Sequence, residues 1–262
     1  MTRASGVRAG LHCEWFRPPA PGNRPVLVLL PGLGGSVRHW WPLLRRLPPT
    51  TAVVAVDLPG HGSSPGFAPS TVELAIDRAA ACVDAIAGDA ELAVVGHSAG
   101  GLVALAWALR EPARVTHLGL LATAARITPH PGLLDRLRRG RFDEAWIRGA
   151  FAEDDHGEPV RTVVEDLRRL RLAPGASDYL GLAGFDLSAR LGEIRARTLV
   201  VAAWGDPVVS PRRSRALAAG IAGARLVMVD AGHYLPVARP DLVAAPLQTL
   251  LDDASIHCGG TR

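Results

Sequence analysis

The feature that most constrains the fold is an apolar run that ends in a serine flanked by glycines. Residues 92–97 read Leu-Ala-Val-Val-Gly-His, and Ser98 is followed by Ala-Gly-Gly. The run suits a short buried strand, and the stretch at 102–109, rich in Ala, Leu and Trp, suits a helix. Glycines two positions before and after the serine let neighbouring backbone pass close by without a Cβ clash. We therefore predict a sharp strand-to-helix turn that presents the Ser98 hydroxyl as a nucleophile.

A second copy of the Gly-x-Ser-x-Gly pattern, centred on Ser64, shows that the pattern alone decides little. No apolar run directly precedes Ser64, and Pro65 and Pro69 would interrupt a helix that began at once. We interpret this copy as a loop. For Ser98 the alternative is a tight structural turn with an incidental serine, so other parts of the chain must distinguish the two interpretations.

Composition excludes several classes of protein. With 262 residues, 48% of them hydrophobic, the chain can bury a full core, and we expect one domain with a modest insertion. The 29 basic residues stand against 25 acidic ones, and the basic runs lack interleaved aromatic residues, so we expect no nucleic-acid partner. Without a membrane-length apolar stretch or a signal-peptide pattern, we expect a cytoplasmic protein with no membrane partner. Three scattered cysteines predict reduced thiols, and we expect neither metal nor cofactor.

Strand and helix patterns alternate along most of the chain. A loose alternation at 6–16 predicts one or two edge strands, and helical patterns at 37–47 and 71–87, the second with Ser70 as its cap, lie between strand-like runs. The α/β class follows, with a mostly parallel, doubly wound sheet. The aliphatic runs that suit strands covered on both faces lie at 26–30, 51–57, 92–97, 114–121, 197–203 and 225–229.

The alternation breaks between residues 126 and 190, where we find helical patterns and no convincing strand. These patterns lie at 132–139, 142–151, 159–172 and 176–184. We predict a core made of residues 1–125 and 191–262, with residues 126–190 inserted before the last strands as a helical lid. Open α/β sheets bind ligands at the carboxyl edge of their strands, where such a lid would lie. The alternative is a group of helices packed on a sheet face.

A nucleophilic serine needs a base within hydrogen-bond reach and a group that orients this base. Of nine histidines, His233 is the preferred base because it follows the run at 225–229 on a glycine-containing loop. His97 adjoins Ser98 in sequence and should point away from it. Asp206, on the loop after the preceding strand, is the preferred acid. Its rivals are Asp57, Asp186 and Asp230.

A glycine-rich loop, Pro31-Gly32-Leu33-Gly34-Gly35-Ser36, follows the first of the aliphatic runs. It lacks the Lys-Ser/Thr ending of a nucleotide loop and the spacing of a dinucleotide fingerprint, so we do not expect nucleotide binding. Backbone N–H groups on such a loop can stabilise negative charge that develops on a substrate oxygen. Leu33 is placed to supply one of these donors.

Together these motifs resemble those of the α/β-hydrolase superfamily, and the resemblance extends from about Val26 to Leu251. It rests on the segments 31–36, 57–64, 96–101, 205–211 and 232–234. The resemblance implies the α/β-hydrolase fold and a catalytic triad in the chain order serine, aspartate, histidine. Most relatives have His-Gly where this chain has Pro31-Gly32, so the hydrogen bonds that support the loop must differ, because proline has no N–H.

The resemblance also implies roles for particular residues. Ser98, Asp206 and His233 would form the triad, and the backbone amides of Leu33 and Ala99 would form the oxyanion hole. The implied activity is hydrolysis of a small-molecule ester, lactone or thioester through an acyl-enzyme, as in enol-lactonases and small carboxylesterases, by a monomer or homodimer. Two alternatives stay open: a lyase or synthase whose triad abstracts a proton, and a non-catalytic binding protein on the same scaffold.

The residues around the nucleophile would determine substrate selectivity. His39, Trp40 and Trp204 follow the glycine-rich loop and the strand before the acid, and they are candidate pocket residues, although large apolar groups are as often core. Five arginines of the insertion would favour an anionic substrate if they faced the serine, and otherwise would form a solvated helix face. They are Arg138, Arg139, Arg141, Arg148 and Arg161.

Overall fold

The computed structural model describes residues 3–16, 24–127, 144–172, 181 and 184–252. Within them, strands β1 to β8 form one sheet in the spatial order β1-β2-β4-β3-β5-β6-β7-β8. The strands are β1 (Arg3–Arg8), β2 (Leu11–Phe16), β3 (Val26–Leu30), β4 (Val53–Val56), β5 (Leu92–His97), β6 (Val115–Leu121), β7 (Arg197–Ala203) and β8 (Arg225–Val229).

Helices cover the sheet and lie between its strands. The α-helices are α1 (Trp41–Leu44), α2 (Val72–Ala87), α3 (Ala99–Arg110), α4 (Glu144–Arg148), α5 (Glu158–Arg169), α6 (Pro211–Gly220), α7 (Leu235–Ala238) and α8 (Pro240–Asp252). Two 3-10 segments, Val37–Trp40 and Ser188–Glu193, lie before α1 and before β7. No helix among the described residues is long and apolar enough to span a bilayer.

The sheet confirms the α/β class inferred from the alternating patterns. Strands β3 to β8 pair in parallel, whereas β1 and β2 form an antiparallel hairpin whose second strand also pairs antiparallel with β4. The loose alternation near the start of the chain is therefore a hairpin with β1 at the edge. Parallel pairing brings the carboxyl ends of β3 to β8 to one edge, which is where the candidate site lies.

The continuous aliphatic runs arise because both faces of the sheet are covered. Successive side chains of a strand point to opposite faces, so Val26, Val28 and Leu30 of β3 pack in the cluster that contains α2, α3 and α6. Leu27 and Leu29 pack in the other cluster, with α1 and α8. A strand with two apolar faces cannot alternate between apolar and polar residues.

In the insertion between β6 and β7, α4 lies within the helical pattern predicted at 142–151, and α5 overlaps the pattern predicted at 159–172. The pattern at 132–139 and most of the pattern at 176–184 fall outside the described residues. The apolar faces of α4 and α5 form a small cluster with Tyr234 and Val237, which follow β8. This cluster places the described part of the insertion beside a loop at the carboxyl edge of the sheet. The domain boundaries at 126 and 190 stay a prediction.

The described cysteines are reduced, as expected. Cys13 and Cys82 are buried free thiols, whereas Cys258 lies outside the described residues.

The predicted cap of α2 was wrong by one residue. Thr71, not Ser70, precedes the helix in extended conformation, and its Oγ1 accepts a hydrogen bond from the N–H of Leu74 at 3.1 Å. Serine and threonine both cap helices well, so adjacent candidates cannot be separated by residue type.

We predict that Thr71→Ala lowers the free energy of unfolding by about 1 kcal/mol, because an N–H of the first helical turn loses its acceptor. The adjacent Ser70→Ala is the matched control and should change stability by less than about 0.5 kcal/mol. Urea denaturation followed by circular dichroism measures both values. Equal losses for the two variants would contradict the assignment of the cap.

Candidate active site

Ser98 occupies a strained backbone conformation between β5 and α3. Its φ of 52° and ψ of −122° are rare for a residue with a side chain. The Ser98 N–H donates to the carbonyl of Leu121 at 2.9 Å, and its own carbonyl accepts from Gly101 N and from Thr123 Oγ1 at 2.9 and 2.8 Å. Such strain persists only where the surroundings hold the residue in place.

Gly100 shows why the turn requires glycine. A Cβ atom on this residue would lie 2.4 Å from the carbonyl oxygens of both Leu30 and Pro31. The end of β3 therefore passes directly over the start of α3, and the sharp turn expected around Ser98 is present. At the second copy of the pattern, Ser64 lies in a loop, where its Oγ donates to the Asp57 carbonyl and accepts from the N–H of His12.

His233 lies between Ser98 and Asp206 and is within hydrogen-bond distance of both. Its Nδ1 is 2.8 Å from Asp206 Oδ2, and its Nε2 is 3.0 Å from Ser98 Oγ. A carboxylate can only accept, so Nδ1 carries the proton and Nε2 of the neutral ring is free to accept from the serine hydroxyl. This tautomer is the one that a general base needs. All three residues are buried.

Asp206 is held by its own loop. Its Oδ1 accepts hydrogen bonds from the N–H groups of Val208 and Val209 at 2.8 and 2.9 Å, which leaves Oδ2 for the imidazole. The three rival acids are engaged elsewhere or exposed. The Asp57 carboxylate accepts hydrogen bonds from Val37 N, Ser63 N and His12 Nδ1. Asp186 Oδ1 accepts one from Ser188 N, and Asp230 is exposed.

His97 contacts the site in a way that the sequence did not reveal. Its ring packs 4.9 Å from the ring of His233, and its Nε2 lies 2.8 Å from the His233 carbonyl oxygen. Burial lowers the pKa of His97 well below its ordinary value, and the nearby His233 lowers it further. Because a carbonyl only accepts, neutral His97 carries its proton on Nε2 and supports the backbone of His233. The position of His97 next to Ser98 in the sequence does not reveal this contact.

The insertion also contacts His233, through its backbone. The His233 N–H donates to the carbonyl oxygen of Ala150 at 2.7 Å. A Cβ atom on Gly232 would lie 2.6 to 2.7 Å from backbone atoms of residues 150–152, and the ring of Phe151 stacks on Tyr234 at 4.5 Å. Residues 150–152 therefore pack directly against residues 230–234, the loop that carries His233, which we call the histidine loop. Nothing in the sequence pattern pairs these two segments.

Two backbone N–H groups near Ser98 could receive a developing negative charge. A Cβ atom on Gly32 would lie 3.1 Å from Ser98 Cβ, so the glycine-rich loop passes directly beside the serine. Within the described residues, neither the N–H of Leu33 nor that of Ala99 donates a hydrogen bond. Ala99 is the first residue of α3, where such N–H groups lack a partner within the helix. Their role as an oxyanion hole stays a prediction.

The pocket candidates occupy three different environments. His39 is buried beside the glycine-rich loop, and its Nε2 lies 3.3 Å from Asp166 Oδ2. Trp40 is fully buried in the core cluster with α1 and α8, which agrees with the alternative that it belongs to the core, and its role in a pocket stays a prediction. Trp204 is 53% exposed, and the Arg215 guanidinium lies 4.4 Å from its ring centre.

The insertion arginines that the structure describes face solvent. Arg148 pairs with Glu144 at 2.8 Å on the exposed side of α4, and Arg161 is exposed on α5. This placement agrees with a solvated helix face for these two. Arg138, Arg139 and Arg141 lie outside the described residues. In the part of the chain that the structure describes, no group of three or more histidine, cysteine, aspartate or glutamate residues could hold a metal ion.

Comparison with known proteins shows extensive similarity to one family. The model of the family described as the alpha/beta hydrolase family matches residues 27–245. A protein named putative carbamate hydrolase RutD from Agrobacterium fabrum is 30% identical over 236 residues, which cover 83% of this chain and 89% of the relative. A pimeloyl-[acyl-carrier protein] methyl ester esterase from Neisseria meningitidis is 30% identical over 238 residues, which cover 84% and 90%.

A solved structure shows the same similarity in three dimensions. The enol-lactonase from Burkholderia xenovorans LB400 superposes with a TM-score of 0.78 at 27% identity. The superposition covers 95% of this chain and 99% of the enol-lactonase chain. The similarity therefore extends over nearly the whole length of both chains.

We predict that Gly232→Ala lowers the free energy of unfolding by about 1 to 3 kcal/mol, because its Cβ would overlap the backbone of residues 150–152. The control is Gly192→Ala, where an added Cβ meets nothing within 4 Å. It should change stability by less than about 1 kcal/mol. Chemical denaturation measures the free energy of unfolding of both variants. A Gly232→Ala variant as stable as the wild type would show that residues 150–152 can move to accommodate the added Cβ.

Proposed function

Because the chain belongs to the alpha/beta hydrolase family, we propose that it hydrolyses a carboxylic ester, lactone or thioester through an acyl-enzyme on Ser98. Family membership establishes the fold and the hydrolase class, and the residue roles are our assignment. The observation that carries the proposal is the continuous hydrogen-bonded series from Ser98 through His233 to Asp206. A serine with a base at 3.0 Å and a base oriented by a buried acid is the arrangement that acyl transfer requires.

The first half of the reaction forms the acyl-enzyme. His233 Nε2 takes the proton of Ser98 Oγ as the oxygen attacks the substrate carbonyl carbon. The N–H groups of Leu33 and Ala99 bind the oxyanion of the tetrahedral intermediate. The imidazolium of His233, stabilised by Asp206, then donates its proton to the leaving oxygen or sulfur, and the carbonyl re-forms as the bond to the leaving group breaks.

The second half releases the acid. Water takes the place of the leaving group, His233 removes one of its protons, and the resulting hydroxide equivalent attacks the acyl carbonyl on Ser98. Collapse of this intermediate returns the proton from His233 to Ser98 Oγ. The backbone contacts of His233 with His97 and Ala150 keep the ring in one position through both halves.

The access to Ser98 supports a small substrate. Ser98 is 9% exposed and lies beneath loops that pack against α4 and α5. A narrow acyl group fits such a site better than a folded macromolecule does. We assign residues 126–190 as the helical cover of the site, since Leu167 of α5 contacts the glycine-rich loop and residues 150–152, which follow α4, contact the loop that carries His233.

The names of the relatives define the substrates to test. They refer to a carbamate, a methyl ester and an enol-lactone, which share a carbonyl group that a serine can attack. We therefore choose a panel of short-chain methyl esters, lactones, acyl thioesters and carbamates. Activity on none of them would favour the lyase or synthase alternative.

We predict that an alkyl fluorophosphonate labels the wild type once, at Ser98, because this serine is activated by His233. Ser98→Ala should take up no label and should lose at least about three orders of magnitude in kcat. Ser64→Ala is the matched control, as it removes the serine of the second Gly-x-Ser-x-Gly copy, and it should label like the wild type. Mass spectrometry of the intact protein gives the count, and label on Ser98→Ala would exclude the assigned nucleophile.

We predict that Asp206→Asn lowers kcat by roughly three to four orders of magnitude with little change in fold. The amide of asparagine would donate to Nδ1 of His233 and favour the tautomer whose Nε2 cannot accept the serine proton. Asp230→Asn, a change at an exposed rival, should retain wild-type kcat. Steady-state kinetics on the best ester of the panel compares them, and equal losses would refute the choice of Asp206.

A further inference from the structure

We propose that Asp166, on α5 of the insertion, is a positioning residue that holds the glycine-rich loop so that the Leu33 N–H faces the reacting carbonyl. The proposal rests on the proposed function, because it concerns the oxyanion donor of the same site. Asp166 does not touch the substrate in this account. It acts through the shape of residues 31–36, which the insertion contacts from above.

Asp166 is a buried carboxylate whose shortest described contacts are all with one segment, residues 36–39, whereas Arg169 of its own helix lies 3.9 Å from Oδ1. Its side chain is fully buried, although the rest of the inward face of α5 is mainly apolar. Ser36 Oγ donates to Oδ2, Arg38 NH1 donates to Oδ1 at 2.9 Å, and His39 Nε2 lies 3.3 Å from Oδ2. A buried charge is strongly unfavourable unless it is paired and hydrogen-bonded. Residues 36–39 satisfy this charge.

The charge on Asp166 determines which group donates the hydrogen bond between Ser36 and Asp166. Burial alone would raise the pKa of Asp166, but the contacts with His39 and Ser36 and the charge of Arg38 outweigh burial and keep the pKa below its ordinary value. The carboxylate is therefore ionised at neutral pH. Since it can only accept, the Ser36 hydroxyl must donate to it, and a charge-assisted hydrogen bond of this kind is stronger than a neutral one.

The next residue of α5 presses on the same loop. Gly34 has a φ of 70°, and a Cβ atom there would lie 2.3 Å from Leu167 Cδ2 and 3.2 Å from Leu167 Cα. The helix therefore lies against the loop backbone without a gap. At the other end, Gly32 packs beside Ser98. Leu33 lies between these contacts, and the direction of its N–H follows from them.

The loop needs this external support. Pro31 contributes no N–H, and within residues 31–36 the hydrogen bond between backbone groups runs from Gly35 N to the Gly32 carbonyl at 2.9 Å. Glycines allow many backbone conformations, so a loop that contains three of them gains little rigidity from its own sequence. The anchor of Ser36 on Asp166 selects one of these conformations.

A role in docking the insertion alone would not require Asp166. The insertion is also held by the hydrogen bond from His233 N to the Ala150 carbonyl and by the apolar contacts of α4 and α5. In addition, Arg239 Nε lies 3.2 Å from Asp155 Oδ1. Glu165 pairs with Arg38 at 2.9 Å on the exposed side. Asp166 differs from these residues because it binds Ser36 of the glycine-rich loop itself.

The test compares Asp166→Asn with the matched control Glu165→Gln. This control removes a neighbouring carboxylate charge that also pairs with Arg38, but Glu165 has no hydrogen bond with Ser36. Each variant is assayed with an ester and with its thionoester, in which sulfur replaces the carbonyl oxygen. Sulfur accepts hydrogen bonds weakly, so a displaced N–H donor should slow cleavage of the ester more than that of the thionoester.

For Asp166→Asn we expect kcat on the ester to fall about tenfold or more with KM changed less than about threefold, because loss of a whole oxyanion donor costs about 10² to 10³. The thionoester rate should fall by less than about threefold. Glu165→Gln should match the wild type on both substrates. Affinity for an aryl boronic acid, which forms a tetrahedral adduct with the serine, should weaken by the same factor as the ester kcat.

Ser36→Ala provides an independent variant, should Asp166→Asn fail to fold. It removes the hydroxyl that links the loop to Asp166, and it should show the same selective loss on the ester. In the double variant the two losses should not add, because both changes break one contact.

Three outcomes would overturn the assignment. Unchanged ester kcat in Asp166→Asn or Ser36→Ala would exclude a positioning role, even if the melting temperature fell. Equal losses on ester and thionoester would indicate general disruption of the site. A wild type inactive on every ester, lactone and thioester would overturn this assignment together with the proposed function, whereas an active wild type separates the two.

Discussion

The candidate site depends on the strained backbone of Ser98 and on the close backbone contacts that maintain the strain. A residue with positive φ would relax if it could, but the end of β3 lies over Gly100 with no room for a side chain, and β6 binds the Ser98 N–H. The parallel sheet supplies both contacts, since β3 and β6 flank β5. The buried aliphatic strands therefore serve the site directly, because they fix where the serine hydroxyl stands.

The described part of the insertion supports the loops of the candidate site, in addition to its proposed role as a cover. Ala150 accepts from the N–H of His233, and α5 places Asp166 and Leu167 against the glycine-rich loop. The loops that carry the proposed base and the proposed oxyanion donor are thus both contacted by the insertion. This arrangement gives the insertion a way to change reactivity without contributing a reacting group.

Those parts of the fold and of the candidate site that depend on local chemistry could be predicted from the sequence. Gly100 and Ser98 predicted the sharp turn because a close backbone approach excludes other residues, and the position of Asp206 and His233 after parallel strands placed them at one edge. Contacts between distant segments could not be predicted. Ser36 and Asp166 are separated by 130 residues. A 3-10 segment and a short helix stand where one longer helix was expected. His97 was not chosen as the base because it adjoins Ser98, and its contact with the His233 carbonyl joins residues 136 positions apart.

Acylation of Ser98 during turnover can be tested by a rapid-quench experiment with a p-nitrophenyl ester. The peptide that carries Ser98 is analysed by mass spectrometry during the first turnover. The account predicts that this peptide gains the acyl mass before p-nitrophenol release reaches its steady rate, with the acyl group on Ser98 Oγ, and loses it as free acid accumulates. Steady ester turnover without any acyl group on Ser98 would contradict the account.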